Sequence, residues 1–291
     1  MSWLITGGSG QLGTALSREL DQLGIAFDAL NSEKLDITQG ANVRDVIVKI
    51  SPKIIVNCAA WTDVDEAEIS ETLASQVNSV GAENVALAAK QCGAQLIHIS
   101  TDYVFSGDSD LPWQVTDEIN PQSAYGRTKG DGEKRVLTAY PENSSVVRTS
   151  WLYSSWGKNF AKTMTQLAIN GDVEVRVVND QVGQPTSATD LAKQLVRLGE
   201  SNAQAGIYHG TNAGQTTWFE FAQEIFTLAG AEVDRISAVS SAEFLRPAKR
   251  PSYSVLSHQA WAHTSIPPMR DWRIALTEAM PAIILAVEAE E

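Results

Sequence analysis

The chain reads as an α/β protein: a Rossmann-like doubly wound parallel sheet with a smaller C-terminal substrate lobe. Three observations carry that expectation. A glycine-rich turn, Gly7-Gly8-Ser9-Gly10-Gln11-Leu12-Gly13, joins a short apolar run to an amphipathic stretch. Short apolar or β-branched runs then alternate with helical stretches through residues 1–150. Tyr125 and Lys129 follow on one such stretch, downstream of Ser100-Thr101-Asp102. Alternating β and α elements build a parallel sheet, and ligands on such sheets bind beyond the C-terminal strand ends.

The elements justify themselves in order. Trp3–Ile5 is a buried-strand pattern, and Ala15, Leu16, Leu20 and Leu23 recur at helical spacing over Thr14–Leu23. Further strands are expected at Ile25–Leu30, Ile54–Cys58, Leu96–Ser100 and Ser145–Arg148, with helices at Gln39–Ile50, Ser75–Gln91 and Tyr125–Tyr140. After Trp151 the alternation weakens. Helices at Phe160–Ala168, Asp190–Leu198 and Trp218–Ala229 mix with loops such as 179–185. Residues 1–150 are therefore expected to form the dinucleotide-binding domain, and 151–291 mainly a substrate lobe interleaved with it. The acidic end, Glu288-Ala-Glu-Glu291, reads as a frayed terminus.

Composition narrows the function. A chain of 291 residues, 43% hydrophobic and 20% charged, is an ordinary globular composition. The formal net charge of -13 argues against a nucleic-acid partner, which requires a basic face. No run of roughly 18 apolar residues predicts a membrane helix. The chain starts directly with its first strand, so no secretory signal is expected, and cytoplasm is the default location. Cys58 and Cys92 read as buried free thiols of a reducing compartment.

Strand, glycine turn and helix in succession turn a glycine pattern into a dinucleotide site. Glycines let the backbone approach a pyrophosphate, and a helix N-terminus offers free N–H groups and a positive dipole end. A tyrosine and a lysine four apart share one helix face. An ammonium near a phenol stabilises the phenolate and lowers a pKa that is ordinarily about 10. The hydroxyl then serves as a proton donor or acceptor, and Thr101 offers a second hydroxyl to the same substrate oxygen.

The motifs Thr6–Gly13, Leu35-Asp-Ile-Thr38, Asn57–Asp65, Ser100–Phe105, Tyr125–Lys129 and Arg148-Thr-Ser-Trp151 occur in order. With Gln181–Thr186 and Arg246–Pro251 they closely resemble the dTDP-4-dehydrorhamnose reductases, extended short-chain dehydrogenase/reductases of bacterial sugar-nucleotide synthesis, over nearly the whole chain. The resemblance implies that NADPH or NADH reduces the 4-keto group of dTDP-4-dehydro-β-L-rhamnose. It assigns catalysis to Tyr125, Lys129 and Thr101, with Tyr125 and Lys129 also touching the cofactor. It places Gly7, Gly10, Gln11, Leu12 and Gly13 at the pyrophosphate, Asp36 and Ile37 beside the adenine, and Ala60, Trp61 and Thr62 along the cofactor groove. Thr101, Asp102 and Trp151 fall at the sugar nucleotide.

Other readings stand beside these. Asp36 can close the turn before a helix, and Trp61 and Trp151 can be core aromatics. Asp63, Asp65, Glu66 and Glu68 read as a solvated helix start, not a metal site. His98 reads as a packed core residue and Asn78 as a maker of structural hydrogen bonds. Two departures from the family matter. Many relatives carry an arginine after the second strand, where this chain has Asn31-Ser32-Glu33-Lys34, so NADPH-versus-NADH preference stays open. Some relatives dimerise through Mg²⁺ held by a glutamate where this chain has Ala15, which puts that metal in doubt and leaves monomer or homodimer open. A related nucleotide-sugar reductase or epimerase, or a non-catalytic NADP-binding subunit, remains the alternative.

Overall fold

The computed structural model describes residues 2–171 and 173–290. Five strands and the helices between them come in the expected alternation: β1 (Trp3–Thr6), α1 (Gln11–Gln22), β2 (Phe27–Leu30), α2 (Gly40–Ile50), β3 (Ile54–Asn57), α3 (Val64–Ile69), α4 (Glu71–Ser75), α5 (Ala82–Cys92), β4 (Gln95–Thr101), α6 (Ala124–Ala139) and β5 (Ser144–Thr149). The second half adds β6 (Leu152–Tyr153), α7 (Phe160–Ile169), β7 (Val175–Val178), β8 (Val182–Gly183), β9 (Thr186–Ser187), α8 (Ala188–Glu200), β10 (Gly206–His209), β11 (Thr216–Thr217), α9 (Trp218–Leu228), β12 (Ile236–Val239) and α10 (Trp272–Glu288).

The main sheet has six strands in the order β10-β5-β4-β3-β1-β2, every pairing parallel. The chain moves outward in one direction from β1 to β2 and in the other from β3 onward, so the crevice at the switch lies between β1 and β3. Strand side chains alternate between faces. Trp3, Ile5, Val56, Ile97 and Val147 pack under α1 and α8. Leu4, Ile55, Leu96 and Val146 pack under α2, α5 and α6. Both faces are covered, which is why these strands read as continuous apolar runs.

The sixth strand and one covering helix come from beyond residue 151: β10 extends β5, and α8 lies against α1. The smaller lobe has its own core, built by α7, α9 and α10 around the parallel pair β7–β12 and containing Phe221, Phe226, Trp272 and Leu276.

Three boundaries differ from the sequence expectation. Helix α1 starts at Gln11, inside the glycine motif, because Gly13 lacks the Cβ that would sit 2.4 Å from the Gly7 carbonyl oxygen. The helix expected over Ser75–Gln91 is interrupted by a π-helical segment at Gln76–Gly81. There α6 packs so closely that a Cβ on Gly132 would lie 2.1 Å from the Asn78 carbonyl, and the Ser79 hydroxyl donates to the Thr128 carbonyl at 2.9 Å. The acidic tail is not frayed through Glu290: α10 runs to Glu288, and Lys162 holds Glu290 at 2.6 Å. Glu291 lies outside the described residues.

Candidate active site

One cavity of about 850 Å³ lies along the C-terminal edge of the sheet, and every residue that the sequence reading assigned to catalysis, cofactor or substrate lines it. Its walls come from the glycine turn, the segment after β2, the segment after β3, the end of β4, the start of α6 and the segment after β5.

The glycine turn is shaped by close backbone approach. Gly7 has φ +65°, and a Cβ there would lie 2.7 Å from the Ala59 amide nitrogen. The Gly10 N–H donates to the Gly7 carbonyl at 3.0 Å, and Gly10 then begins α1 without a side chain to cap it. The first-turn N–H groups of a helix need acceptors, and an anionic phosphate is one. The cradle fits a dinucleotide pyrophosphate by its shape.

At the far end Ile37 is buried and Asp36 is exposed. The Asp36 carboxylate accepts from the Thr38 amide at 3.0 Å and from the Thr38 hydroxyl at 2.8 Å. Those bonds hold it below its usual pKa. It closes the turn before α2 and faces the cavity as well. Ala60, Trp61 and Thr62 form the middle wall. Asn78, in the π-helical segment, fixes Trp61 by accepting from its amide at 2.8 Å and donating to its carbonyl at 3.2 Å.

The opposite wall holds the titratable groups. Ser123 caps α6 by accepting from the Gly126 amide at 3.2 Å, and Glu68 accepts from the Ala124 amide at 2.8 Å. A Cβ on Gly126 would lie 2.2 Å from the Tyr103 carbonyl, so this glycine lets α6 sit against the end of β4. Tyr125 therefore meets Tyr103 edge-to-face at 5.6 Å. Burial pushes its phenol up to about 12, the Thr101 hydroxyl works against that, and the Asp102 charge adds to it. The expected depression by Lys129 is absent: burial sets the direction, and the one opposing group is the Thr101 hydroxyl. Lys129 is itself buried, its ammonium donating to the Ile99 carbonyl at 2.6 Å. Burial lowers it to about 8, opposed by the negative charge of Glu133. Asp102, also buried, is raised to about 6 by desolvation, with the Ser254 and Thr101 hydroxyls opposing. Thr101 donates to Asp102 at 2.9 Å, tying the two together.

Trp151 occupies a left-handed backbone conformation, φ +45°, that a bulky residue adopts only under tertiary constraint. Its ring stacks on Trp218 at 3.6 Å, and a Cβ on Gly183 would collide with its other side. The sequence reading missed Trp218 and Lys158, which also line the cavity, as does Ser32 at the position where many relatives carry an arginine. Trp218 lies far along the chain from Trp151, and Lys158 falls in a segment after the Arg148–Trp151 motif with no pattern of its own.

Several sequence-flagged groups act elsewhere. Asp63 caps α3 through the Glu66 amide at 2.9 Å, and Asp65 grips Arg250 at 2.5 and 2.9 Å. Asp65 thereby ties the 246–251 segment to α3. His98 is fully buried, its Nδ1 3.0 Å from the Asn57 amide nitrogen. Cys58 is half-buried in the cavity wall, its thiol pushed up to about 12 by burial, and Cys92 is half-buried and free. Ala15 packs in the core under α1, so that position presents no ligand to a metal. No helix among the described residues is long and apolar enough to cross a membrane.

Sheet, crevice and glycine cradle together define a Rossmann-type α/β protein. Within that class the chain belongs to the family described as the RmlD substrate binding domain, which matches residues 1–284. It is 46% identical over 285 residues to a dTDP-4-dehydrorhamnose reductase of Streptomyces griseus, covering 97% of this chain and 93% of the relative. A dTDP-4-keto-6-deoxy-D-glucose reductase of Streptomyces niveus is 42% identical, covering 97% of each. The crystal structure of a dTDP-4-dehydrorhamnose reductase from Bacillus anthracis, in complex with NADP, superposes with a TM-score of 0.92 at 38% identity, covering 96% of this chain and 98% of that one.

Proposed function

We propose that this chain is an NAD(P)H-dependent oxidoreductase that reduces dTDP-4-dehydro-β-L-rhamnose to dTDP-L-rhamnose. The observation that carries the reading is the juxtaposition of Tyr125, Thr101 and Lys129 on the wall of the cavity that begins at the glycine cradle. The bound nicotinamide supplies hydride to the C4 carbonyl carbon. Tyr125, held protonated by burial, delivers its proton to the oxygen as negative charge develops there. Thr101 directs its hydroxyl at the same oxygen, and the buried Lys129 stabilises the phenolate left behind. Gly7, Gly10, Gln11, Leu12 and Gly13 cradle the pyrophosphate; Asp36 and Ile37 flank the adenine; Ala60, Trp61 and Thr62 line the path between. Asp102 and Trp151 contact the sugar nucleotide.

Because Ser32 stands where many relatives carry an arginine, no bidentate guanidinium selects NADPH, and no ribose-gripping carboxylate selects NADH. Both nucleotides should serve, with kcat/KM within about tenfold, or about 1.4 kcal/mol. The Streptomyces niveus relative favours a second reading, a 4-keto-6-deoxyglucose nucleotide as substrate. Nicotinamide oxidation followed against a panel of dTDP-4-keto sugars, with each product identified, decides between them. No turnover of any panel member would remove the reductase reading.

A further inference from the structure

The cavity runs past two lysines and two carboxylates among the described residues: Lys129, Lys158, Asp36 and Asp102. No arginine among the described residues lines it. Lys129 belongs to the reacting end, buried with its ammonium on the Ile99 carbonyl. Lys158 is exposed and lines the same cavity, tied through its carbonyl to Gln11 of the glycine turn.

Its position is set by a strap from the second half of the chain that clasps the start of α1. The Gln11 side-chain oxygen accepts from the Ser154 hydroxyl at 2.8 Å and from the Asn159 amide at 3.0 Å. The Gln11 backbone carbonyl accepts from the Trp156 indole at 2.9 Å, and the Gln11 amide donates to the Lys158 carbonyl at 3.5 Å. Gly157, at φ +70°, lets the strap come so close that a Cβ there would lie 3.0 Å from Gln11 Cγ. Arg18, the nearest cation on α1 itself, lies over the Trp156 ring at 4.2 Å from its centroid. The clasp uses the backbone of Lys158 and leaves its ammonium without an ion pair among the described residues.

A dianionic diphosphate bound to a chain of formal charge -13 needs a local counter-charge. We infer that Lys158 supplies it, as a binding residue for the diphosphate common to NADPH and NADH, an inference that rests on the nicotinamide-nucleotide reading above. The ammonium acts as a point charge, so it reads the shared diphosphate and not the 2′-phosphate that distinguishes the two nucleotides.

Calorimetric titration of the full chain with NADPH, NADH and dTDP tests this directly. Lys158→Gln should weaken NADPH and NADH alike by about three- to tenfold, the scale of one charge-assisted contact at an exposed site. It should leave dTDP affinity unchanged and flatten the salt dependence of Kd. Lys158→Arg should keep both affinities within about twofold of the parent, since the charge is retained. The unfolding temperature should not move, because the clasp needs only the Lys158 carbonyl. Three results would overturn the assignment: unchanged dinucleotide affinities in the glutamine variant, a loss confined to NADPH, or a loss on dTDP. A parent protein that binds neither dinucleotide would sink the cofactor reading itself, a distinct failure.

Discussion

The two ends of the cavity are built by opposite means. The glycine cradle is backbone: Gly7 and Gly13 act through the Cβ they lack, and the groups that face a ligand are main-chain amides. The reacting end is side chain, with Lys129 and Asp102 buried and Tyr125 half-buried, each shifted toward its neutral form by desolvation. A cradle of amides is neutral and needs only the correct turn. A cluster of desolvated ionisable groups costs folding free energy, and on the proposed reading it holds a proton donor and a cation ready in one cavity. Position is cheap at one end; electrostatics are costly at the other.

That contrast breaks most easily at Tyr125. Tyr125→Phe removes one oxygen and preserves the ring that meets Tyr103. Keto-sugar reduction should fall by about 10²–10⁴-fold, the usual scale for general acid catalysis, while NADPH affinity is kept. Near-parental turnover would show that another group donates the proton.

Lys129→Met tests the cost directly. Burial holds Lys129 down at about 8, below its ordinary value of 10.5, so the folded state holds fewer protons than the unfolded one between those values. Its burial penalty is present in full below pH 8 and is relieved as pH rises toward 10.5. The methionine variant should therefore be the more stable at pH 7, by up to about 3 kcal/mol less the lost bond to Ile99, yet lose most of its turnover. Denaturant melts across pH check it; a variant less stable than the parent at pH 7 would mean that the lysine is stabilising where it stands.

Asp102→Asn carries the opposite pH signature. A carboxyl raised to about 6 from 3.8 makes the folded state bind more protons, so the parent loses stability as pH rises from about 4 to 6 and stays penalised above that. The asparagine variant should gain up to about 3 kcal/mol at pH 8 and nothing at pH 3.5. A pH-independent difference in urea melts would leave Asp102 without its buried charge.

The smallest effects belong to the cradle and depend on which glycine is changed. A Cβ on Gly13 would lie 2.4 Å from the Gly7 oxygen, whereas one on Gly10 would lie 3.3 Å from it. Gly13→Ala should cost about 1–3 kcal/mol of stability as the turn is forced open. Gly10→Ala should melt within about 0.5 kcal/mol of the parent and lose only dinucleotide affinity. Equal melts for the two would mean that the close approach at Gly13 relaxes without strain.

Local sequence went far here because much of the fold is locally encoded. The glycine spacing, the strand runs and the Tyr125–Lys129 pair each sit within one element or one turn. The cavity then gathers residues from each of the six motifs between Thr6 and Trp151, and none from Gln181–Thr186 or Arg246–Pro251. What tertiary structure alone decided depends on groups distant in the chain: the π-helical break at Gln76–Gly81 that accommodates Gly132, the strap that brings Lys158 to Gln11, the stacking of Trp218 on Trp151, and the return of α8 and β10 to the first sheet. The phenol's pKa belongs to the same class. Spacing on a helix places the lysine near the tyrosine, but only the packed structure sets how much water each retains, and desolvation decides the sign of the shift.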